Sequence, residues 1–179
     1  MKSADCKDAT TRGQAILGWR RGTQEPAGLI MYRAFTPDNT GSVMKLTLRE
    51  GHATDLDFII RGNTAMARET EGIELDPALV RPGTLAVLRD RSLGRYFIAE
   101  SAGRPVGQMM LTLEWSDWRN GVFWWVQSVF VEPEHRGKGV FSSLYRHVCD
   151  LAAASPEVCG LRLYVDRGNA GARLRTGRR

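Results

Sequence analysis

Glycine and basic residues alternate in the segment Glu132-Pro-Glu-His-Arg-Gly-Lys-Gly-Val-Phe141, directly after a strongly apolar stretch. Gly137 and Gly139 remove side chains where a backbone has to turn tightly and approach a ligand closely. A helix that starts here presents unpaired backbone N–H groups and the positive end of its dipole. The segment therefore predicts a site for a pyrophosphate, with Arg136 and Lys138 adding positive charge at its rim.

The spacing of these glycines differs from two common phosphate-binding patterns. A P-loop requires Gly-x-x-x-x-Gly-Lys-Ser/Thr, and a dinucleotide site requires Gly-x-Gly-x-x-Gly. On the loop alone, one alternative stays open, which is a glycine-rich turn that joins a strand to a helix and binds nothing.

The loop Glu114-Trp-Ser-Asp-Trp-Arg-Asn-Gly121 is a second candidate, because it combines two tryptophans with the carboxylates of Glu114 and Asp117. A carboxylate in such a place can take a proton from an ammonium group, directly or through water. The alternative is a hairpin loop whose tryptophans cover the core and whose charges are solvated. Three weaker candidates for contact with the molecule that carries this ammonium group are Glu100, Gln127 and His147. His147 is expected at the surface of a helix.

Periodicity predicts the elements that position these residues. The expected order is strand 44–49, helix 55–68, a helix opening at Asp76-Pro77 and broken at Pro82-Gly83, strands 96–100, 105–113 and 122–131, helix 139–153, and strand 161–165. Residues 122–165 form a strand–loop–helix–strand unit, so the two strands should lie parallel with a right-handed crossover.

The segment Arg136-Gly-Lys-Gly139-Val-Phe141 resembles motif A of the GNAT acetyltransferase superfamily, in which Arg/Gln-x-x-Gly-x-Gly/Ala starts a helix. The arginine and the first glycine match, whereas Phe141 replaces the usual Gly or Ala. The element order of residues 44–165, about two thirds of the chain, is also similar to the GNAT fold. The resemblance implies an α/β acyl-CoA N-acyltransferase fold, a central mixed sheet flanked by helices, here with the C-terminal strands missing.

The resemblance also implies acetyl-CoA as co-substrate and an amine of a small molecule or peptide as acceptor. The backbone of Val129 and Val131 should pair with the pantetheine arm. The pyrophosphate should meet the loop and the helix start, namely Arg136, Gly137, Lys138, Gly139, Val140, Phe141 and Ser142. Asn169 occupies a place at which the family often has an Asn that faces CoA. Transfer should be direct, because no cysteine is expected at the mouth of the wedge between the parallel strands.

Charge and cysteine content exclude several other classes. The chain has 179 residues and a net charge of +5. Residues 44–166 carry fourteen basic and sixteen acidic side chains, so the basic excess lies at the ends and no nucleic-acid partner is expected. No stretch approaches the roughly 20 apolar residues of a membrane span, so no membrane is expected either. Three cysteines without metal-ligand spacing predict reduced thiols, no metal and a cytoplasmic location.

The two ends of the chain depart from the pattern of its middle. Residues 1–43 lack lasting periodicity and are interpreted as a flexible extension, residues 44–166 as the domain, and residues 167–179 as a basic tail. The resemblance also implies a Tyr beyond the last strand that protonates departing CoA, and no Tyr follows Tyr164. An unpaired edge beside 161–165 would favour association into a homodimer. A catalytically impaired CoA-binding domain, acting as an interaction module, is the main alternative, and a nucleic-acid-binding protein that uses the arginine tail is a third.

Overall fold

The computed structural model of the chain describes residues 12–18 and 44–166. The strands in these ranges are β1 Arg12–Gly18, β2 Thr47–Glu50, β3 Arg95–Ser101, β4 Arg104–Ser116, β5 Gly121–Val131 and β6 Val158–Asp166. The helices are α1 Leu56–Glu71, α2 Pro77–Arg89 and α3 Val140–Ala154, with 3₁₀ turns at Ala53–Asp55 and Pro133–His135.

The six strands form one sheet in the order β1-β6-β5-β4-β3-β2. Neighbours run antiparallel except β5 and β6, which are parallel and joined by α3. The predicted mixed sheet flanked by helices, with its βαβ unit, is therefore confirmed. The C-terminal strands expected to be missing would follow β6, outside the described residues.

The sheet begins with a strand that the sequence analysis did not predict. Arg12–Gly18 pairs antiparallel with β6, from Arg12 opposite Asp166 to Gly18 opposite Gly160. A flexible extension is thus wrong for this part of residues 1–43, and so is an unpaired edge beside β6. Only four residues lie between Gly13 and Gly18, and together they favour a strand weakly. Pairing with an open sheet edge therefore supplies the stabilisation that the local sequence lacks.

Each face of the sheet carries its own apolar core. Phe97, Met109 and Trp124 point to one face and pack with Val140 and Leu144 of α3. On the opposite face, Tyr96, Ile98 and Phe130 pack with Phe58 and Ile59 of α1, and Leu88 of α2 borders that cluster. Alternate strand residues thus serve opposite faces, which explains the nearly continuous apolar character of the central strands.

Two details of the helices differ from the predictions. The residue type and position of Thr54 favour it as the N-cap of the first helix. It lies instead inside a 3₁₀ turn in which the Oδ2 of Asp55 accepts a hydrogen bond from the amide of His52 at 2.8 Å. Pro82 was expected to break the second helix, which instead continues from Pro77 to Arg89. Pro82 is exposed, and burial of Thr84 in the following turn holds the helix against the loss of one hydrogen bond.

Candidate active site

The parallel strands β5 and β6 separate part-way along their length. Their pairing runs from Val122 opposite Val158 to Val126 opposite Leu163 and ends there within the described residues. On its other side β5 stays paired with β4 as far as Val131 opposite Gly107. The last five residues of β5 therefore border a wedge that opens toward the glycine-containing loop.

A β-bulge lies at the vertex of this wedge. Ser128 is opposite Met110 and Val126 is opposite Leu111, so Gln127 is an extra residue on β5. An extra residue bends its strand and increases the local twist, which accounts for the separation at this position. The Nε2 of Gln127 donates to the Oγ1 of Thr112 at 2.8 Å, so the bulged side chain is anchored to β4.

The backbone of β5 beyond the bulge presents hydrogen-bonding groups to the wedge. The amide of Glu132 donates to the carbonyl of Val106 on β4 at 3.0 Å. Because backbone groups alternate in direction along a strand, those of Val129 and Val131 face the opposite side, toward the wedge. The Nε of Arg136 donates to the carbonyl of Val131 at 3.0 Å and uses one of these groups.

The loop after β5 has the backbone geometry that its glycines require. Gly137 has φ +73° and Gly139 has φ +81°, both in the left-handed region that glycine tolerates. Among the described residues, no atom outside the adjacent residues lies within 4 Å of a Cβ placed on either glycine, so they leave the space beside the loop open. The amide of Ser143 donates to the carbonyl of Gly139 at 3.0 Å, and the helix amides that precede it have no intrahelical acceptor.

Arg136 has a different environment from the one predicted. The prediction was a cation at the rim of the pyrophosphate site. In the structure the guanidinium is paired with a carboxylate, because Nη2 donates to both oxygens of Glu69 on α1, at 2.9 and 3.1 Å. Together with the bond to Val131, this contact ties the loop to α1 and to the end of β5. Lys138 is exposed, as a rim charge should be, while Phe141 is half-buried and stacks on Tyr145 at 5.8 Å between ring centroids.

The structure places Asp117 away from the wedge. Residues 117–120 form the tight turn between β4 and β5, next to the end at which β5 and β6 are paired. At about 3.3 Å per strand residue, this turn lies roughly 20 Å from Gln127. The direction of β5 therefore puts the turn, and Asp117 with it, at the closed end of the wedge.

Glu114 lies on β4 rather than in a loop, and both of its carboxylate oxygens are engaged. Oε1 forms an ion pair with Nη1 of Arg162 at 2.5 Å, and Oε2 accepts a hydrogen bond from Nε1 of Trp125. A carboxylate held by two donors in this way is poorly suited to take a proton from an acceptor. The geometry gives Glu114 a structural environment instead of the predicted catalytic one.

Comparison with known proteins decides the family. Residues 64–174 match the model of the acetyltransferase (GNAT) family. The chain belongs to the GNAT family. A possible acetyltransferase from Clostridium difficile 630 is 41% identical and superposes with a TM-score of 0.67, over 71% of this chain and 84% of that protein. A search of curated proteins gave no match.

Two further solved structures resemble this chain in fold. The integron cassette protein HFX_CASS3, from the mobile metagenome of Cole Harbour Salt Marsh, is 27% identical with a TM-score of 0.53, over 65% of this chain and 74% of its own. A ribosomal-protein-alanine N-acetyltransferase from Brucella melitensis biovar Abortus 2308 is 17% identical with a TM-score of 0.54, over 70% of this chain and 83% of its own. At the latter identity the likeness concerns the fold alone.

The three weaker candidates from the sequence, Glu100, Gln127 and His147, also contact other side chains. Glu100 accepts hydrogen bonds from Nε and Nη2 of Arg49, at 2.8 and 2.5 Å. His147 is half-buried and packs edge-on against Phe97 with ring centroids 5.7 Å apart, so it is not a simple surface side chain. Gln127 alone of the three lies at the vertex, and Asn169 falls outside the described residues.

Arg162 is the residue of this GNAT domain that sequence reasoning missed. The only indication was a charge inside the apolar strand 161–165, and such a charge on its own does not identify a partner. Among the described residues, no group of three or more His, Cys, Asp or Glu side chains is arranged to hold a metal ion. None of the described helices is long and apolar enough to span a membrane.

Proposed function

We propose that this GNAT protein is an acetyl-CoA-dependent N-acetyltransferase that transfers the acetyl group directly to a primary amine of a small molecule or peptide. The observation that carries the proposal is the wedge between β5 and β6, which opens toward a helix start with two left-handed glycines. One end of the site offers strand-like backbone groups, and the other offers helix amides.

The donor side fits the chemistry of CoA. A pantetheine arm contains two amides that can pair with strand backbone, and Val129 and Val131 present such groups to the wedge. Because Arg136 contacts the carbonyl of Val131, we infer that the arm pairs with the amide of Val131 and with Val129. The open space beside Gly137 and Gly139 accommodates a pyrophosphate near the backbone amides. Those amides belong to Arg136, Gly137, Lys138, Gly139, Val140, Phe141 and Ser142, and Asn169 is proposed to face the same ligand.

Bound acetyl-CoA supplies an activated acetyl thioester, and the chain supplies position. Because α3 packs on one face of the sheet, the acceptor amine is proposed to approach the vertex from the face that carries α1. Gln127 and Thr112 lie at that vertex and can accept hydrogen bonds from the amine, but neither side chain can take its proton at neutral pH. We therefore infer that the amine reacts after losing its proton to water.

Direct transfer is supported by the state of Cys149. Burial raises the pKa of this thiol on α3 to about 11, so it is not an activated nucleophile at neutral pH. Its unbridged state accords with the proposed cytoplasmic location. We also propose that residues 44–166 together with β1 form the folded unit.

The test of this function has two stages on the full chain. Calorimetric titration with CoA measures binding, and a panel of amines and peptides with acetyl-CoA, followed by thiol release, measures turnover. Binding with turnover of at least one amine is expected. Binding without turnover of any amine would favour the alternative of a catalytically impaired interaction module, and failure to bind CoA would overturn the proposal.

A further inference from the structure

Three neighbouring strands are tied together by side chains on one face of the sheet. Glu114 projects from β4, Trp125 from β5 and Arg162 from β6. Glu114 contacts both of the others, through the ion pair with Arg162 at 2.5 Å and the hydrogen bond from the indole of Trp125. The guanidinium of Arg162 also lies 3.9 Å above the ring centroid of Phe123 on β5. The cluster therefore spans β5 from one side to the other.

This cluster lies directly behind the vertex of the wedge. Arg162 is opposite Trp125, and the next pair, Val126 and Leu163, is the last before the strands separate. The last residue pair of two paired strands has a neighbouring pair on one side only, so it opens more easily than an internal pair. The contact of Glu114 with Arg162, here called the tie, lies one residue before that last pair. It is therefore placed where it can prevent the strands from separating further.

The chemistry of the cluster suits a rigid tie. A guanidinium is planar and stacks on an aromatic ring while its edge donates to a carboxylate, so few orientations satisfy both contacts. Arg162 is 20% exposed and Glu114 is 41% exposed, so the pair is only partly screened by solvent.

We propose that Glu114 and Arg162 are positioning residues that set the width of the wedge and thereby the fit of the pantetheine arm. This inference rests on the proposed function, because it assumes that the arm of acetyl-CoA enters the wedge. The pyrophosphate is proposed to lie beyond the opposite end of the free part of β5. Loss of the tie should consequently affect ligands with an arm and leave ligands without one unaffected.

The experiment compares two ligands on the full chain by calorimetric titration. Acetyl-CoA carries the arm, whereas ADP carries adenine and pyrophosphate without it. Glu114→Gln keeps an oxygen for the indole of Trp125 and removes the ion pair. We expect the Kd for acetyl-CoA to rise at least about fivefold and the Kd for ADP to stay within about twofold.

A matched control exists on the other face of the sheet. Arg95 pairs with Glu50 at 3.2 Å and lies 5.0 Å from the ring centroid of Phe97 and 5.5 Å from that of Trp124. Glu50→Gln thus breaks a similar carboxylate–arginine–aromatic contact that does not involve β6. It should leave both dissociation constants unchanged.

A double-mutant cycle provides the second measurement. If Glu114 and Arg162 act through their contact with each other, Arg162→Met should raise the Kd for acetyl-CoA. Adding Glu114→Gln to Arg162→Met should then raise that Kd little further. Unchanged acetyl-CoA binding in Glu114→Gln and Arg162→Met would overturn the inference, and so would an equal loss of both ligands. If the unaltered chain binds no acetyl-CoA, the proposed function itself fails, which is a distinguishable result.

Discussion

A Cβ placed on Gly107 would lie 2.7 Å from Cγ1 of Val140, closer than side chains approach one another in folded proteins. Gly107 is on β4, opposite the last residue of β5, and Val140 is the first residue of α3. The start of α3 therefore rests directly on the backbone of β4. The absence of one side chain in the sheet positions the amides that are proposed to bind the pyrophosphate.

Gly107→Ala should displace the start of α3 and weaken CoA binding by about tenfold, since small shifts of positioned groups are costly in a close-packed site. Calorimetric titration with CoA measures this effect. Gly83→Ala is the control, because its backbone is not left-handed and the added Cβ has no other described part of the chain within 4 Å, apart from its own helix. Equal CoA affinity in the two variants would show that contact with Gly107 does not position the helix.

Gly139→Val should nearly abolish CoA binding, whereas Lys138→Ala should weaken it by about 1 kcal/mol or less. Gly139 has φ +81°, which costs a residue with a Cβ roughly 1–2 kcal/mol and a β-branched residue more. Lys138 is exposed and therefore screened by solvent. Titration with CoA that ranked the two variants in the opposite order would contradict binding by the backbone.

Deletion of residues 1–18 should lower the melting temperature and cause association of the protein. Without β1, the edge of β6 from Gly160 to Asp166 loses its partner, and exposed backbone groups pair with other chains. This result would distinguish β1 from the flexible extension that the sequence pattern of residues 1–43 predicts. Thermal melts and light scattering would compare this deletion with removal of residues 1–11, which leaves β1 in place and should be mild.

Asp55→Asn removes the ion pair between Asp55 and Arg49 and should destabilise the fold by about 2 kcal/mol at neutral pH. The loss is smaller than for a fully buried ion pair, because the Arg49 side chain is 28% exposed. Burial opposes ionisation of Asp55, but hydrogen bonds from Arg49 and the amide of His52 outweigh it and hold its pKa below the ordinary value of 3.8. The stabilisation is thus present above pH 3.8 and lost as the pH falls through the lower, folded-state value.

Urea unfolding at a series of pH values measures this effect. The difference in stability between the unaltered chain and Asp55→Asn should shrink below about pH 4. A difference that stayed constant down to pH 2 would show that the ion pair with Arg49 is not its source. Asp57→Asn serves as the control, since its contact with Arg81 is on the surface and should contribute little at any pH.

Short-range patterns in the sequence predicted most of the fold. Alternation and helical spacing located β3 to β6, α1 and α3, because these segments bury large apolar surfaces whose period shows in the chain. The loop of Gly137 and Gly139 was recognised for a similar reason, since left-handed backbone restricts residue type directly.

Failures of prediction occurred where partners are distant in sequence. β1 lies more than 140 residues before the strand with which it pairs, and no local pattern marks it. Glu114 and Asp117 were grouped as one loop, although the direction of β5 puts that turn at the closed end of the wedge. Periodicity does not specify which end of a strand meets the site, because that depends on how neighbouring strands run.

The sequence by itself determined the class of the fold, the loop at the start of α3 and the family resemblance. These follow from local requirements, namely the burial of apolar faces and the conformational freedom of glycine. Only the tertiary structure decided the vertex at Gln127, the contact of Arg136 with Glu69 and the tie between Glu114 and Arg162. Each of these features depends on residues that are distant in sequence but close in space. The free energy of their interaction depends on the distance between them, which local sequence patterns do not specify.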